Sequence, residues 1–255
     1  MHVENKVAII TGASSGLGKA LAERLISKGA KVILGDIDKK DGLRLENELN
    51  YDKKEKVAFF VQCDVTNYVQ LAALFEEANK RFGGVDIIAN NAGIAENQPL
   101  WLDESGSWKK VIDIDLSAVI EGTRLGIKVL TEQGRGGVII NTASLAGLYP
   151  QVLTPAYTAA KFGVVGLTKS FKEFPDKSIR VNAVAPSFAP TKIIEQVKEQ
   201  ATLGPLVSVE MVTDAFMLLI EDDSYRGDIA RITPKYGIDV LGRPKFGGDN
   251  KKAKL

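Results

Sequence analysis

The 255 residues predict a single α/β domain built on an open, doubly wound, mostly parallel sheet of seven strands with helices on both faces. Three observations carry that expectation. Short apolar runs alternate with stretches of helical period along the chain, and parallel strands need such crossovers. A glycine-rich turn joins the first apolar run to the first helical stretch. No linker and no repeat of about 20–50 residues interrupts the pattern. Residues 1–241 are therefore read as one domain, and 242–255, with Gly247, Gly248, Lys251, Lys252 and Lys254, as a mobile basic tail.

The elements follow in order. Val7 to Ile10 is the first strand. Leu21, Leu25 and Ile26 then recur at helical spacing up to Lys28-Gly29, a basic last turn with a glycine stop. Lys31 to Asp36 is the second strand and Val57 to Val61 the third. Asn67 can cap a helix running to Arg81, with Leu71, Leu74, Phe75 and Ala78 inward. Val85 to Ala89 is a strand, 95–107 a polar loop, and Trp108 to Glu132 a helix, with Asp103 and Glu104 as cap and dipole partners near its start. Val138 to Asn141, the helix from Ala156 to Phe174, and the strand Ile179 to Val184 come next. Residues 187–207 are irregular, with a helix near 191–200 that could lie over a site; Val209 to Ile220 is amphipathic and Asp228 to Thr233 is the last strand.

The turn Thr11-Gly12-Ala13-Ser14-Ser15-Gly16-Leu17-Gly18 opens the first helix. Glycines let backbone approach a ligand closely, and a helix N-terminus favours phosphate. Asp36, 18 residues after Gly18, ends the second strand near the distance at which a carboxylate accepts hydrogen bonds from an adenosine ribose. No Arg or Lys stands at 15 or 37 to receive a 2′-phosphate, which favours NAD over NADP. A tight turn followed by a surface Asp is the bland alternative.

Bulk properties exclude other classes. Lys plus Arg number 33 against 32 Asp plus Glu, so no net basic field points to nucleic acid or an anionic membrane. No apolar run approaches the ~20 residues a membrane-spanning helix needs, and the first residues do not read as a signal peptide. Cys63 is the single cysteine, which rules out a disulfide within the chain and fits a cytoplasmic setting. His2 stands alone and terminal, so no metal site is expected. Cys63 itself reads as a small buried side chain rather than a nucleophile.

The chemistry gathers between Ser144 and Lys161. Tyr157 and Lys161 are four apart and share a helix face. Ser144 lies just past the strand ending at Asn141, at the sheet edge where open α/β proteins bind ligands. An ammonium beside a phenol favours the phenolate and makes tyrosine a usable base; a serine hydroxyl can hold the substrate oxygen. That set suits reversible oxidation of an alcohol to a carbonyl. A non-catalytic NAD(H)-binding protein and a carbonyl reductase remain alternatives. Leu148, Tyr149, Val152 and Leu153 could face an apolar substrate or simply pack; Trp101 and Trp108 could line a pocket or anchor a loop.

Thr11-Gly12-x3-Gly16-x-Gly18, Asn90-Asn91-Ala92-Gly93, Ser144, Tyr157-x3-Lys161 and Arg180-Val181-Asn182-Ala183 with Pro186 together resemble the short-chain dehydrogenase/reductases over residues 4–235. The resemblance implies a Rossmann fold, NAD, a homodimer or homotetramer, and oxidation of a secondary alcohol such as a hydroxy fatty acid, prostanoid or steroid. It makes Tyr157 the acid/base, Lys161 its electrostatic partner and holder of the nicotinamide ribose, and Ser144 the holder of the substrate oxygen. Gly12, Gly16 and Gly18 would border the pyrophosphate, with Ser14, Ser15 and Leu17 beside them. Asp36 and Ile37 would meet the adenine-side ribose, and Cys63, Asp64 and Val65 the adenine. Asn91, Ala92 and Gly93 would steady the centre of the cofactor; Pro186, Phe188 and Thr191 would meet its nicotinamide end.

Four positions depart from the family pattern. Asp115 replaces the usual Asn of the middle helix and enters the catalytic set with a negative charge near Lys161. Ser187 replaces the Gly after Pro186. Thr154 stands where prostaglandin-oxidising members carry glutamine, three residues before the tyrosine, as a candidate substrate contact. The segment Phe171–Pro175 is one residue short, beside a helix the family uses in dimers.

Overall fold

The structure, a computed structural model, describes residues 1–191 and 204–243. The helix expected near 191–200 and the tail from 244 onward lie outside the described residues. The strands are β1 (Val7–Thr11), β2 (Lys31–Asp36), β3 (Ala58–Gln62), β4 (Ile87–Asn90), β5 (Gly137–Thr142), β6 (Ile179–Pro186), β7 (Ile229–Thr233) and β8 (Gly237–Val240). The helices are α1 (Gly16–Ser27), α2 (Lys39–Asn50), α3 (Tyr68–Phe82), α4 (Trp108–Ile112), α5 (Ala118–Gln133), α6 (Pro155–Ser170) and α7 (Val209–Glu221).

The sheet runs β3-β2-β1-β4-β5-β6-β7-β8 and is parallel except for β8, which pairs antiparallel with β7. Among the described residues eight strands thus replace the seven expected: β8 is a four-residue edge strand too short to carry an alternating pattern. β1 is the switch point, with β2 on one side and β4 on the other, so a crevice opens at its C-terminal end. Period-two alternation places Ala8 and Ile10 in the core under α1 and α7, and Val7 and Ile9 in the core under α3 and α5.

Two helices differ from expectation. The stretch 108–132 is not one helix: α4 and α5 are joined by a π turn over Asp113–Ser117 that re-aims Asp115 inward. α6 stops at Ser170 instead of running to Phe174, where Phe171 and Phe174 pack edge-on instead. Asn67 accepts from the Val69 and Gln70 N–H groups as the cap of α3, and Asp103 accepts from the Trp108 N–H at the start of α4.

A buried polar network ties these layers in register. Asn90 on β4 donates to Asn141 on β5 at 2.9 Å; Thr123 on α5 donates to Asn141 at 3.2 Å; Asn141 donates to Thr168 on α6 at 3.2 Å. Burying such groups is tolerable because each has a partner. Arg180 donates to the carbonyls of Leu219 and Ile220, filling the C-terminus of α7.

Candidate active site

A cavity of about 560 Å³ runs along the C-terminal edge of the sheet, from Asp36 and Ile37 at one end to Ser144, Thr154 and Tyr157 at the other. Its first wall is the turn after β1. Gly12 has φ +63, and a Cβ there would lie 2.8 Å from the Ala92 Cα. α1 begins at Gly16 with no side-chain cap and no acid in its first turn, leaving its N–H groups for an anionic ligand. Asp36 accepts from the Ser14 N–H and the Asp38 N–H, both at 2.9 Å. These are the features an NAD pyrophosphate and adenosine ribose require, and the Asp36 charge opposes a 2′-phosphate.

Ser14, Ser15, Gly16, Leu17, Cys63, Asp64, Val65, Asn91, Ala92, Gly93, Lys161, Pro186, Phe188 and Thr191 line the same cavity. Gly18 does not. It packs underneath, where a Cβ would lie 2.1 Å from the Gly12 carbonyl oxygen. Gly18→Ala is expected to push the turn outward, weakening NAD binding by at least about tenfold at a stability cost of about 1–3 kcal/mol; calorimetric titration and urea unfolding check it. Cys63 is buried, and burial first, then Asp64 and Asp36, push its thiol up to about 12. Asn91 donates to the Thr11 and Gly12 carbonyls at 3.0 and 3.2 Å, fastening β4 to the turn.

At the far end, α6 presents Tyr157 and Lys161 on one face. Lys161 is 2% exposed; its Nζ donates to the Thr142 carbonyl at 2.8 Å and lies 3.0 Å from Asp115 Oδ2 and 5.4 Å from the Tyr157 ring centroid. Asp115, with no exposed surface, also accepts from the Ile94 N–H at 2.9 Å through Oδ1. It does not line the cavity but stands behind Lys161 as a charge contact rather than an aligned hydrogen bond. The Ser144 hydroxyl accepts from the Ala146 N–H at 3.1 Å and lines the cavity together with Tyr157.

The charges push in opposite senses. Tyr157 keeps some surface open to the cavity, yet burial is the main influence and raises its pKa; Lys161 lowers it, Asp115 raises it and the neighbouring Ser144 lowers it. Burial works against the Lys161 ammonium, but Asp115 and then Tyr157 outweigh it and hold the amine above its ordinary value. Burial raises the Asp115 carboxyl against the pull of Lys161 and Ile94. The arrangement can therefore store and return a proton at the Tyr157 oxygen beside a fixed ammonium.

Between Ser144 and Tyr157, Val152, Leu153 and Gln151 line the cavity. Leu148 packs into the core by α6, and the Tyr149 hydroxyl accepts from Arg231 at 2.8 Å, an arginine that also pairs with Asp239 on β8. Trp101 and Trp108 are partly or largely exposed and do not line the cavity. Thr142, Gln151, Ile94 and Glu96 entered the site without a signal in the sequence. No motif marks them, and only the loop path brings them in; Asp38 alone had a cue, standing two residues after Asp36.

The family model described as short chain dehydrogenase matches residues 6–202, and the chain belongs to that family. It is 36% identical over 259 residues to the human protein named 15-hydroxyprostaglandin dehydrogenase [NAD(+)], covering 93% of this chain and 94% of that one. It is also 39% identical over 191 residues to 3beta-hydroxysteroid dehydrogenase 2 of Eggerthella lenta, covering 74% and 72%. The crystal structure of a 3-ketoacyl-(acyl-carrier-protein) reductase from Brucella melitensis, complexed with NADH, matches the fold with a TM-score of 0.81 at 30% identity, covering 90% and 97%.

Proposed function

We propose that this oxidoreductase oxidises an apolar secondary alcohol to the ketone, using NAD. The observation that carries the reading is the meeting of Ser144, Tyr157 and Lys161 at one end of a cavity whose other end is the glycine turn and Asp36. Bound NAD supplies the acceptor for the hydride that leaves the carbinol carbon. Ser144 holds the substrate oxygen. Tyr157, as phenolate, takes the hydroxyl proton as the C–O bond becomes a carbonyl, and Lys161 stabilises the phenolate before that transfer. Reversal returns the proton from Tyr157 to the carbonyl oxygen.

Ile94, Ala95, Ile114, Val152, Leu153 and Phe188 line the cavity and support an apolar substrate; Gln151 and Thr154 are polar points on the same wall. A hydroxy fatty acid, prostanoid or steroid has the required chemistry. We also read the protein as a cytoplasmic homodimer or homotetramer. Exposed Ile120 on α5 and Phe162 on α6 support assembly, and the lone, unbridged Cys63 fits a reducing compartment. No helix among the described residues is long and apolar enough to cross a membrane.

The test is NADH formation at 340 nm with a panel of 15-hydroxylated prostaglandins, hydroxy fatty acids, hydroxysteroids and short alcohols. Turnover with NAD on at least one apolar member supports the reading. NAD binding with no turnover across the pH range overturns it in favour of a binding protein. Asp115 sets the pH at which the test is most sensitive. Its negative charge raises the Tyr157 pKa, so less phenolate is present at neutral pH. Asp115→Asn is expected to move the rise of the pH–rate profile to lower pH. The rate at pH 7 should increase on the order of threefold or more, since small changes in barrier scale exponentially. An unchanged profile in kcat/KM refutes that role.

A further inference from the structure

We infer that Glu96 is a positioning residue for Tyr157: from the loop after β4, its carboxylate holds the first turn of α6 and so sets where the tyrosine stands. The starting point is an unfilled requirement. A helix leaves its first N–H groups without intrahelical partners. α6 begins at Pro155, and Thr154 in the capping position makes no side-chain bond to those groups. Thr154 lines the cavity instead. A local Ser, Asp or capping Thr would ordinarily do the work. Here Glu96, 61 residues upstream, accepts from the Tyr157 N–H through Oε2 at 2.9 Å.

The cost of this arrangement argues for a purpose. Glu96 is only 4% exposed, and its Oε1 is buried with no hydrogen-bond partner among the described residues. A carboxylate taken out of water is expensive unless it is paired, and the positive end of a helix is one of few neutral surroundings that favours it. The acceptor is spent on the backbone of Tyr157, the residue on which the proposed chemistry turns.

The neighbours of Glu96 make the same connection. A Cβ on Gly93 would lie 2.9 Å from Asp115 Oδ2 and 3.6 Å from Lys161 Nζ, so the chain passes directly over that pair. The Ile94 N–H donates to Asp115 Oδ1 at 2.9 Å. Ile94 and Ala95 line the cavity. Four consecutive residues therefore touch the partner of Lys161, form part of the substrate wall and fasten the helix turn that carries Tyr157. First turns fray when their N–H groups lose partners, and a displacement of about 1 Å in a reacting group can cost up to roughly a hundredfold in rate.

The experiment compares Glu96→Ala with Glu96→Gln, which keeps an acceptor oxygen but not the charge. One arm is amide hydrogen exchange at Tyr157, followed by NMR on the NAD-loaded protein. Exchange should be about tenfold faster or more in Glu96→Ala, as loss of the hydrogen bond implies, and clearly closer to wild type in Glu96→Gln, which keeps the acceptor and loses only the charge. The second arm rests on the dehydrogenase reading: kcat should fall about ten- to a hundredfold in Glu96→Ala, with KM for NAD within about twofold, and Glu96→Gln should recover to within about threefold of wild type. Unchanged exchange overturns the inference, as does a kcat within about twofold of wild type in Glu96→Ala, or equal losses in both variants. If wild type turns over no alcohol, the dehydrogenase reading fails, while the exchange arm still decides whether Glu96 holds Tyr157. Should Glu96→Ala not fold, Glu96→Asp, one methylene short of the helix, takes its place with the same expectations.

Discussion

Tyr157→Phe is expected to lower alcohol oxidation by about 10²–10⁴, with NAD affinity within a few-fold of wild type. The substitution removes one oxygen and leaves the ring. That oxygen is the group the charges act on: burial raises its pKa, Lys161 lowers it, Asp115 raises it and Ser144 lowers it. Ser144 and Lys161 remain in the variant, but neither replaces the lost acceptor for the hydroxyl proton. Lys161 is already held as an ammonium by Asp115, and its Nζ donates to the Thr142 carbonyl. Steady-state NADH formation, measured beside calorimetric titration of NAD, separates the two quantities. A rate within tenfold of wild type would remove Tyr157 from the proton path and with it the proposed reaction.

Lys161→Met should have the largest effect on stability. The side chain is similar in length and packs in the same space, but the ammonium is gone. Asp115 then keeps only the Ile94 N–H, at a position with no exposed surface. Breaking a buried ion pair from one side costs about 3–5 kcal/mol, because the remaining charge is uncompensated. For a domain of this size that corresponds to a fall in Tm of about 10 °C.

The pH dependence carries a sign. Without Lys161, burial raises the folded-state pKa of Asp115 with its strongest opponent removed. The unfolded carboxyl releases its proton near about 3.9 while the folded one retains it, so the unfolded state gains on the folded one as pH rises from that value. The variant should therefore lose more stability relative to wild type at pH 8 than at pH 5. Adding Asp115→Asn should recover most of the loss, since an amide is neutral at every pH whereas the carboxyl must take up a proton to become so. Urea unfolding of wild type, the single and the double variant at both pH values checks this. Equal stability of single and double variants at both pH values would mean that Asp115 carries no penalty in the absence of Lys161.

The glycine turn, Asp36 and the Tyr157–Lys161 pair were legible in the linear chain because each is a local relation. Residues four apart on a helix share a face whatever packs around them, and a strand followed by Gly12, Gly16 and Gly18 constrains its own backbone. The strands announced themselves through apolar runs, since a parallel strand is buried on both faces. α2 carried a weaker signal, because only Gly42 and Leu45 of its residues are buried. The identity of Asp115 was legible, but whether it would face Lys161 was not: that depends on the π turn, which shifts the helical register by one residue at that point.

What the linear chain determined alone is the set of chemical groups and the backbone that holds them: a glycine turn opening a helix, an acid at the end of the second strand, and a phenol one helical turn from an ammonium. Tertiary structure decided which carbonyl holds Lys161, which carboxylate caps the helix of Tyr157, and how β8 closes the sheet behind Arg231. The reason is physical. Those contacts join residues far apart in sequence, and their partners are set by where loops close and helices pack, so no spacing along the chain encodes them.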